Sequence, residues 1–406
     1  MCNRCDDPNH KHGLPDVDRR KLLVGGAGVA AALAAAPILG LASKASAADG
    51  TITAEELETV TAYGAKNATS PIAQMKIKRR APGPNDVVLD VLYSGICHSD
   101  IHQARDEWKS SGLPTLWDCV PGHEIVGRVV AVGRNVTKFK VGDIGGVGCL
   151  VDSCGECANC LADREQNCLK ATFTYNSPDP VLGGHTYGGY SDKMVVAEHF
   201  VVRIPPGVDL AATAPLLCAG ITTFSPMQHW QLKPGQRVGV VGFGGLGHMA
   251  VKLGVARKAD VTVFTTSPSK ISLAKKMGAK DAVLSTDEAA MKKHAGQYDL
   301  LISTVPKAYP MQPFLELLKL DATLVNVGAL DVLQNISGFG LIYGRKSVAG
   351  SMIGGIAETQ EMIDYCAARK IKADIELIKP SEINKAFDRV VNKDVRFRFV
   401  IDMKAA

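Results

Sequence analysis

Val238-Gly239-Val240-Val241-Gly242-Phe243-Gly244-Gly245-Leu246-Gly247-His248 is the stretch on which the reading of this chain turns. An apolar run leads into spaced glycines, and a helix-type run from His248 to Arg257 leads out. That order predicts a buried strand, a tight turn and a helix. Glycines there let the backbone approach a phosphate, and the free N–H groups that open the helix can donate to it. A lone GxGxxG is weak; the strand before it and the helix after it make it a dinucleotide fingerprint.

The same rhythm continues downstream. Arg237 to Val241, Val261 to Phe264, Ala282 to Leu284, Asp299 to Ser303, Ala322 to Val327 and Ser347 to Ala349 read as about six strands. Ser269 to Met277 reads as a helix closed by Gly278. Such alternation predicts βαβ units and a parallel, doubly wound sheet of the α/β class. Upstream the pattern differs: Val87 to Leu92, Ile125 to Val132 and Phe200 to Val202 are short β-type runs between Gly/Pro turns, which predicts a β-rich, barrel-like domain. The helical Ala357 to Arg369 and strand-like Arg398 to Asp402 are expected to rejoin that first domain. There is no internal repeat and no low-complexity tract.

The 406 residues are too many for one compact core and predict two domains. An apolar fraction of 46% with 21% charged residues is that of an ordinary globular chain. A net charge of +5, with no Lys/Arg block interleaved with aromatics, argues against a nucleic-acid partner.

Of eleven cysteines, Cys154, Cys157, Cys160 and Cys168 crowd into one glycine-containing loop. Four thiolates this close can close a tetrahedral cage around zinc and leave no reactive position, which makes the site structural. An iron–sulfur cluster or disulfides are the alternatives. A second set is dispersed: Cys97, His123 and Cys218 offer two sulfurs and one imidazole, which would leave a fourth zinc position open. Taken singly each is weak, since a lone cysteine among apolar residues is usually filler.

Residues 1–47 stand apart. Arg19-Arg20 precede a Gly/Ala-rich apolar stretch, Leu22 to Ala42, and then Ala45-Ser46-Ala47, a small-x-small cleavage site. This order predicts an export signal read by the twin-arginine machinery. It implies an extracytoplasmic, periplasmic location and a mature form with no membrane segment; the alternatives are an uncleaved membrane anchor and retention in the cytoplasm. Cys2, Cys5, His10 and His12 precede the arginines in an order that matches no common zinc finger.

From about residue 60 onward the chain resembles the zinc-dependent medium-chain dehydrogenase/reductase superfamily, in particular its cinnamyl alcohol dehydrogenase and bacterial aldehyde reductase group. The phrases that carry the resemblance are Gly95-Ile-Cys-His-Ser-Asp-Ile-His102, Pro121-Gly-His-Glu124, Cys218-Ala-Gly-Ile-Thr222-Thr and Gly354-Gly-Ile-Ala-Glu-Thr-Gln360. The resemblance implies a GroES-like catalytic domain (48–219 and 351–406), a Rossmann domain (220–350) and an active site in the cleft between them. A Cys2His set with an open position is the established catalytic zinc site of alcohol dehydrogenases, so the assignment of Cys97, His123 and Cys218 belongs to the resemblance. It also makes Glu124 an acid able to approach the metal, Asp100 the acid that orients a ligand imidazole, and Ser99 and His102 a proton relay. His98, Thr222, Thr304 and Ile353, with Gly242, Gly244, Gly245, Leu246 and Gly247, are implied along the coenzyme. Two zinc ions per chain, an alcohol or aldehyde substrate and a homodimer or homotetramer follow from the same likeness. A zinc-free quinone reductase and an inactive, metal-stabilised binding protein are the rival readings; the retained ligands, relay residues and glycines argue against both.

NADP(H) rather than NAD(H) is expected. NAD enzymes place an acid about 20 residues beyond the glycines, on the ribose 2′-hydroxyl. Here Thr265-Thr266-Ser267-Pro268-Ser269-Lys270 contains no acid, while Thr265, Thr266 and Ser267 supply hydroxyls and Lys270 a positive charge. The alternative is a polar loop that merely caps the next helix through Ser267 or Ser269. Between Trp108 and Pro121 the stretch Lys109 to Val120 is longer than the family leads one to expect, and Trp108 and Trp117 there are either pocket walls or anchors. Intact-mass analysis of extracytoplasmic protein should show a chain beginning at Ala48; a chain still starting at Met1, or found only in the cytosol, refutes the export reading.

Overall fold

The computed structural model describes residues 59–328, 331–333 and 336–405, all within one compact unit, Ala47–Ala406. The expected export leader lies outside the described residues.

Among the described residues, six parallel strands form one sheet in the order Asp281–Leu284, Asp260–Thr265, Arg237–Val241, Tyr298–Ser303, Leu318–Asn326, Ser347–Gly350. Val238, Val240, Val263, Leu301, Ile302, Leu324 and Val325 are fully buried, because helices cover both faces and leave no wet side. The chain winds outward from Arg237–Val241 in one direction and resumes beside it with Tyr298–Ser303. The two strands diverge in connectivity at their carboxyl ends, where open α/β sheets bind ligands. Gly242 and Thr304 sit there, and Thr304 Oγ1 donates to the Val241 carbonyl at 3.0 Å.

The fingerprint glycines do distinct work. Gly242 has φ +90°, a conformation that favours glycine. A Cβ on Gly247 would lie 2.2 Å from the Gly242 carbonyl, so the helix Gly245–Ala256 can start this close to its strand only without a side chain there. Gly244 has nothing within 4 Å and is free to face a ligand.

The second sheet is mixed, with strand order Ile375–Ile378, Arg398–Asp402, Asp86–Gly95, Ile125–Val132, Ile144–Val147, Val202–Arg203, and Lys193–Ala197 also pairing with Asp86–Gly95. The C-terminal strands therefore do return to the first sheet: Val400 pairs with Gly95. One expected strand is shorter than read. Glu198–Phe200 is a 3-10 turn in which Val201 N–H bonds back to Glu198, and pairing begins only at Val202. No single helix among the described residues is long and apolar enough to cross a membrane.

Gly247→Ala should destabilise the fold by about 1–3 kcal/mol through overpacking, read from denaturant unfolding. Gly244→Ala should leave stability unchanged and weaken coenzyme binding.

Candidate active site and metal centres

Antiparallel pairing assembles the first site. Asp86–Gly95 ends where Ile125–Val132 begins, with Ser94 opposite Ile125 and Gly95 N–H bonded to the Glu124 carbonyl at 2.9 Å. Ile96-Cys97 and His123-Glu124 thus emerge side by side. Gly95 has no room for a side chain, since a Cβ would lie 2.0 Å from Glu124 Oε2. Cys218 comes from a third segment, between the turn Ala214–Leu217 and the helix Ala219–His229. The donor atoms of Cys97, His123, Glu124 and Cys218 all lie within 4.8 Å of one another, and all four residues are buried. Cys97 and Cys218 sulfurs are 3.9 Å apart.

Asp100, fully buried, orients this cluster. Its carboxylate accepts from Cys97 N–H at 2.7 Å, Gly122 N–H at 3.2 Å and the Tyr190 hydroxyl at 3.1 Å. It also sits 3.1 Å from His123 Nδ1, which leaves Nε2 for a metal. The Tyr175 ring stacks on His123 with centroids 5.5 Å apart. Ser99 Oγ donates to the Cys97 sulfur at 3.0 Å. His102, three residues on in the helix His98–Ala104 and so on the same face, pairs through Nδ1 with Glu107 at 2.5 Å. Its Nε2 is buried without a hydrogen-bond partner. Burial, and then the neighbouring His102, hold His98 down to about 4, so it stays neutral.

Charge at the centre is frustrated. The Cys218 thiol is pushed well up by its contacts with Cys149 and Cys97. Cys97, which takes a hydrogen bond from Cys218, is pulled well down. Several thiolates in one buried spot repel one another, and a divalent cation removes the conflict. Soft sulfur and imidazole donors at this spacing suit zinc.

The loop cage closes as its spacing predicts. Cys154–Cys160, Cys157–Cys160 and Cys154–Cys168 sulfurs are 3.8, 3.5 and 3.5 Å apart. A tetrahedron with zinc–sulfur bonds of about 2.3 Å has edges of about 3.8 Å. All described cysteines are free thiols, so disulfides are not what joins them. Backbone N–H groups of Glu156 and Cys157 lower the Cys154 thiol to about 6.

At the switch point, Thr222 Oγ1 is buried without a partner. Ile353, a β-branched residue, holds φ +40°, an uncommon conformation that the surroundings must enforce. Thr265 is buried and its hydroxyl accepts from Ser267 N–H at 3.2 Å, while Thr266 is exposed and Ser267 half-buried. The helix Ser269–Lys276 has no side-chain cap, so a capping role for Ser267 or Ser269 is excluded. Lys270 Nζ donates to the Phe243 carbonyl at 2.9 Å.

Four residues escaped the sequence reading. Arg398, 4% exposed, lies 2.9 Å from Glu124 Oε1, and its Nη1 is where a Cβ on Gly245 would collide. Burial opposes its charge, but Glu124 and the thiols hold it protonated. Tyr190 and Glu107 anchor Asp100 and His102, and Cys149 contacts Cys218. Of the two tryptophans, Trp108 lies against His102 at 5.2 Å, whereas Trp117 packs on the core as an anchor.

Residues 83–206 match the alcohol dehydrogenase GroES-like domain, and residues 245–368 match the zinc-binding dehydrogenase family. Aldehyde reductase YahK of Escherichia coli K12 is 51% identical over 345 residues, 84% of this chain and 98% of that protein. The chain belongs to the zinc-binding alcohol dehydrogenases. NADP-dependent alcohol dehydrogenase C 1 of Mycolicibacterium smegmatis is 49% identical over 85% of this chain and 98% of its own length. A cinnamyl alcohol dehydrogenase from Helicobacter pylori complexed with NADP(H) superposes with a TM-score of 0.81 at 40% identity, covering 86% of this chain and 100% of that one.

The two metal centres of this dehydrogenase should separate experimentally. Cys97→Ser should abolish turnover yet leave a folded protein with about one zinc per chain, whereas Cys157→Ser should lower the melting temperature, because structural zinc contributes folding free energy. Metal analysis beside thermal melts measures both; substantial activity in Cys97→Ser refutes the catalytic assignment.

Proposed function

We propose that this chain is a zinc-dependent, NADP(H)-using oxidoreductase that interconverts primary alcohols and aldehydes, aromatic ones among them, and that it acts mainly as an aldehyde reductase. The observation that carries the reading is the buried cluster of Cys97, His123 and Cys218 beside a doubly wound sheet whose fingerprint glycines line its crevice. A zinc ion held there supplies Lewis acidity toward the substrate oxygen, and bound NADPH supplies the hydride.

The protein's own groups do the rest. Asp100 holds His123 in the tautomer that presents Nε2. The Ser99 hydroxyl, 3.0 Å from the Cys97 sulfur, is placed to pass a proton to or from the substrate oxygen. His102, fixed by Glu107 through Nδ1, has a free Nε2 to carry that proton onward, and the half-exposed Glu107 carboxylate connects it to solvent. Arg398, paired with Glu124 through Nη2, keeps a buried Nε without a hydrogen-bond partner beside the N-terminus of Gly245–Ala256, which suits a pyrophosphate. The unpartnered Thr222 hydroxyl and the strained Ile353 are assigned to the nicotinamide end.

NADP(H) preference is supported by the acid-free loop Thr265 to Lys270 and by the missing helix cap. A homodimer is supported by Phe339, Ile342 and Tyr343, each more than 70% exposed on the helix Gly338–Gly344 beside the edge strand Ser347–Gly350. Export through the twin-arginine route, with cleavage after Ala47, is supported by the order of residues 19–47.

Purified protein assayed with NADPH against a panel of aliphatic and aromatic aldehydes tests the activity; no turnover with any of them refutes it. Lys270→Ala should cost about 1.5–3 kcal/mol of NADPH binding, one charge-assisted contact. The apparent NADPH constant should rise about tenfold or more, with NADH little affected. A wild-type preference for NADH, or equal loss of both coenzymes, rejects this coenzyme assignment.

A further inference from the structure

Phe397 holds φ +76°, a backbone conformation that a bulky residue adopts only where its surroundings enforce it. It is 5% exposed and immediately precedes Arg398, the first residue of the strand Arg398–Asp402 in the catalytic sheet. What holds it comes from the other sheet. Phe243, in the glycine-rich turn, meets the Phe397 ring edge-on with centroids 5.0 Å apart. His248, one turn into the helix Gly245–Ala256, stacks on the same ring at 4.7 Å with 17° between the planes.

His248 is itself fixed at both ring nitrogens. Its Nδ1 donates to the Gly245 carbonyl at 2.6 Å, and its Nε2 accepts from Asp374 N–H at 3.3 Å. Those two bonds together require a neutral imidazole with its proton on Nδ1. Burial, and then the positive charges of Lys252 and Arg398, hold His248 down to about 3, which keeps it in that form. Asp374 directly precedes the catalytic-sheet strand Ile375–Ile378 and also takes a bond from Lys252 Nζ at 2.6 Å. The helix Gly245–Ala256 is thus bonded to the returning tail of the chain, and the Phe397 ring is clamped at that junction.

What the clamp delivers is Arg398. Its Nη2 lies 2.9 Å from Glu124 Oε1, and its Nη1 donates to the Ile96 carbonyl at 3.4 Å. The same guanidinium fills the space over Gly245, where a Cβ would lie 2.8 Å from Nη1. Two consecutive side chains are therefore both committed, the ring to the coenzyme half and the guanidinium to the gap between the halves. Turning Phe397 to an ordinary negative φ would take one of them away from its partners.

We propose that Phe397 is a positioning residue for coenzyme binding: its ring, gripped by Phe243 and His248, holds the strained backbone that aims Arg398 at the pyrophosphate. The proposal rests on the reading of Arg398 as a pyrophosphate contact and deepens it. Phe397 touches no reacting atom and acts only through Arg398.

The experiment is titration calorimetry of NADP+ on the zinc-loaded wild type, Phe397→Leu, Arg398→Lys and the double variant. Arg398→Lys keeps a charge beside Glu124 but lacks the fork that reaches Glu124 and Gly245 together. Each single variant should bind NADP+ about tenfold more weakly, as the loss of one charge-assisted contact requires. The double variant should bind no more weakly than Arg398→Lys alone, because nothing is then left for Phe397 to position. Phe397→Tyr, which keeps the ring, should retain most of the affinity. Phe397→Met keeps the apolar volume without a flat ring and takes the place of Phe397→Leu if that variant does not fold. If the ringless variants bind as the wild type does while Arg398→Lys is weakened, the positioning role is refuted and the Arg398 reading stands. Losses that add in full in the double variant refute it too, since they mark a general loosening of the fold. So does a Phe397→Tyr protein as weak as Phe397→Leu. Unchanged binding in Arg398→Lys overturns the pyrophosphate reading, and the role of Phe397 with it.

Discussion

Negative charge packed out of reach of water is the constraint around which the catalytic half is arranged. Cys97, Cys218, Asp100 and Glu124 are all buried within one small volume, and a bare cluster of thiolates and carboxylates there would be costly. Three features answer it. Asp100 is wrapped in two backbone N–H donors, a phenol and an imidazole. Glu124 is countered by Arg398, itself buried and held charged by what surrounds it. The sulfurs are left for a divalent cation. Remove any one, and the buried groups that remain lose part of the compensation for their burial.

The same constraint explains the glycines of this region better than turn chemistry does. Gly95 has a negative-φ strand conformation that any residue could adopt; it is glycine because Glu124 occupies the space of its Cβ. A Cβ on Gly148 would likewise lie 2.8 Å from the Leu217 carbonyl, so glycine there lets the turn before Cys218 pack onto the sheet. Backbone closeness allows sulfur ligands from 121 positions apart to meet at 3.9 Å.

How much of this is legible in a linear sequence depends on the distance over which each interaction acts. The loop cage spans Cys154 to Cys168, so its spacing is its geometry and can be read directly. The inner strands Arg237–Val241, Asp260–Thr265 and Tyr298–Ser303 could be read because they are mostly apolar, as burial on both faces demands, while the edge strand Ser347–Gly350 is only exposed or half-buried. Arg398 could not, because its contacts lie some 150 to 300 positions upstream and an arginine next to phenylalanines in a terminal strand has no local signature. Tyr190 and Glu107 are missed for the same reason: what each does depends on the carboxylate or imidazole it meets. The strand at Phe200 was overextended because a run of apolar residues is compatible with a 3-10 turn, and only the partner strand decides where pairing starts.

The position of the loop cage gives it a part beyond local stability. Glu165, inside the cage segment and 1% exposed, accepts from Ile356 N–H at 3.1 Å and pairs with His199 at 2.7 Å. Ile356 is the first residue of the helix Ile356–Ala368, and Gly355 before it lies so close to the Asp163 carbonyl that a Cβ would sit 1.9 Å away. The strained Ile353 precedes these contacts by two and three residues. A four-sulfur cage holds its loop stiff in a way that a short polar loop could not achieve through its own hydrogen bonds. Because that loop grips the start of Ile356–Ala368, its rigidity is passed to the backbone that carries Ile353. A metal site that takes no part in chemistry can therefore govern the geometry of the crevice where chemistry occurs, through one buried carboxylate and one glycine that leaves no space for anything larger.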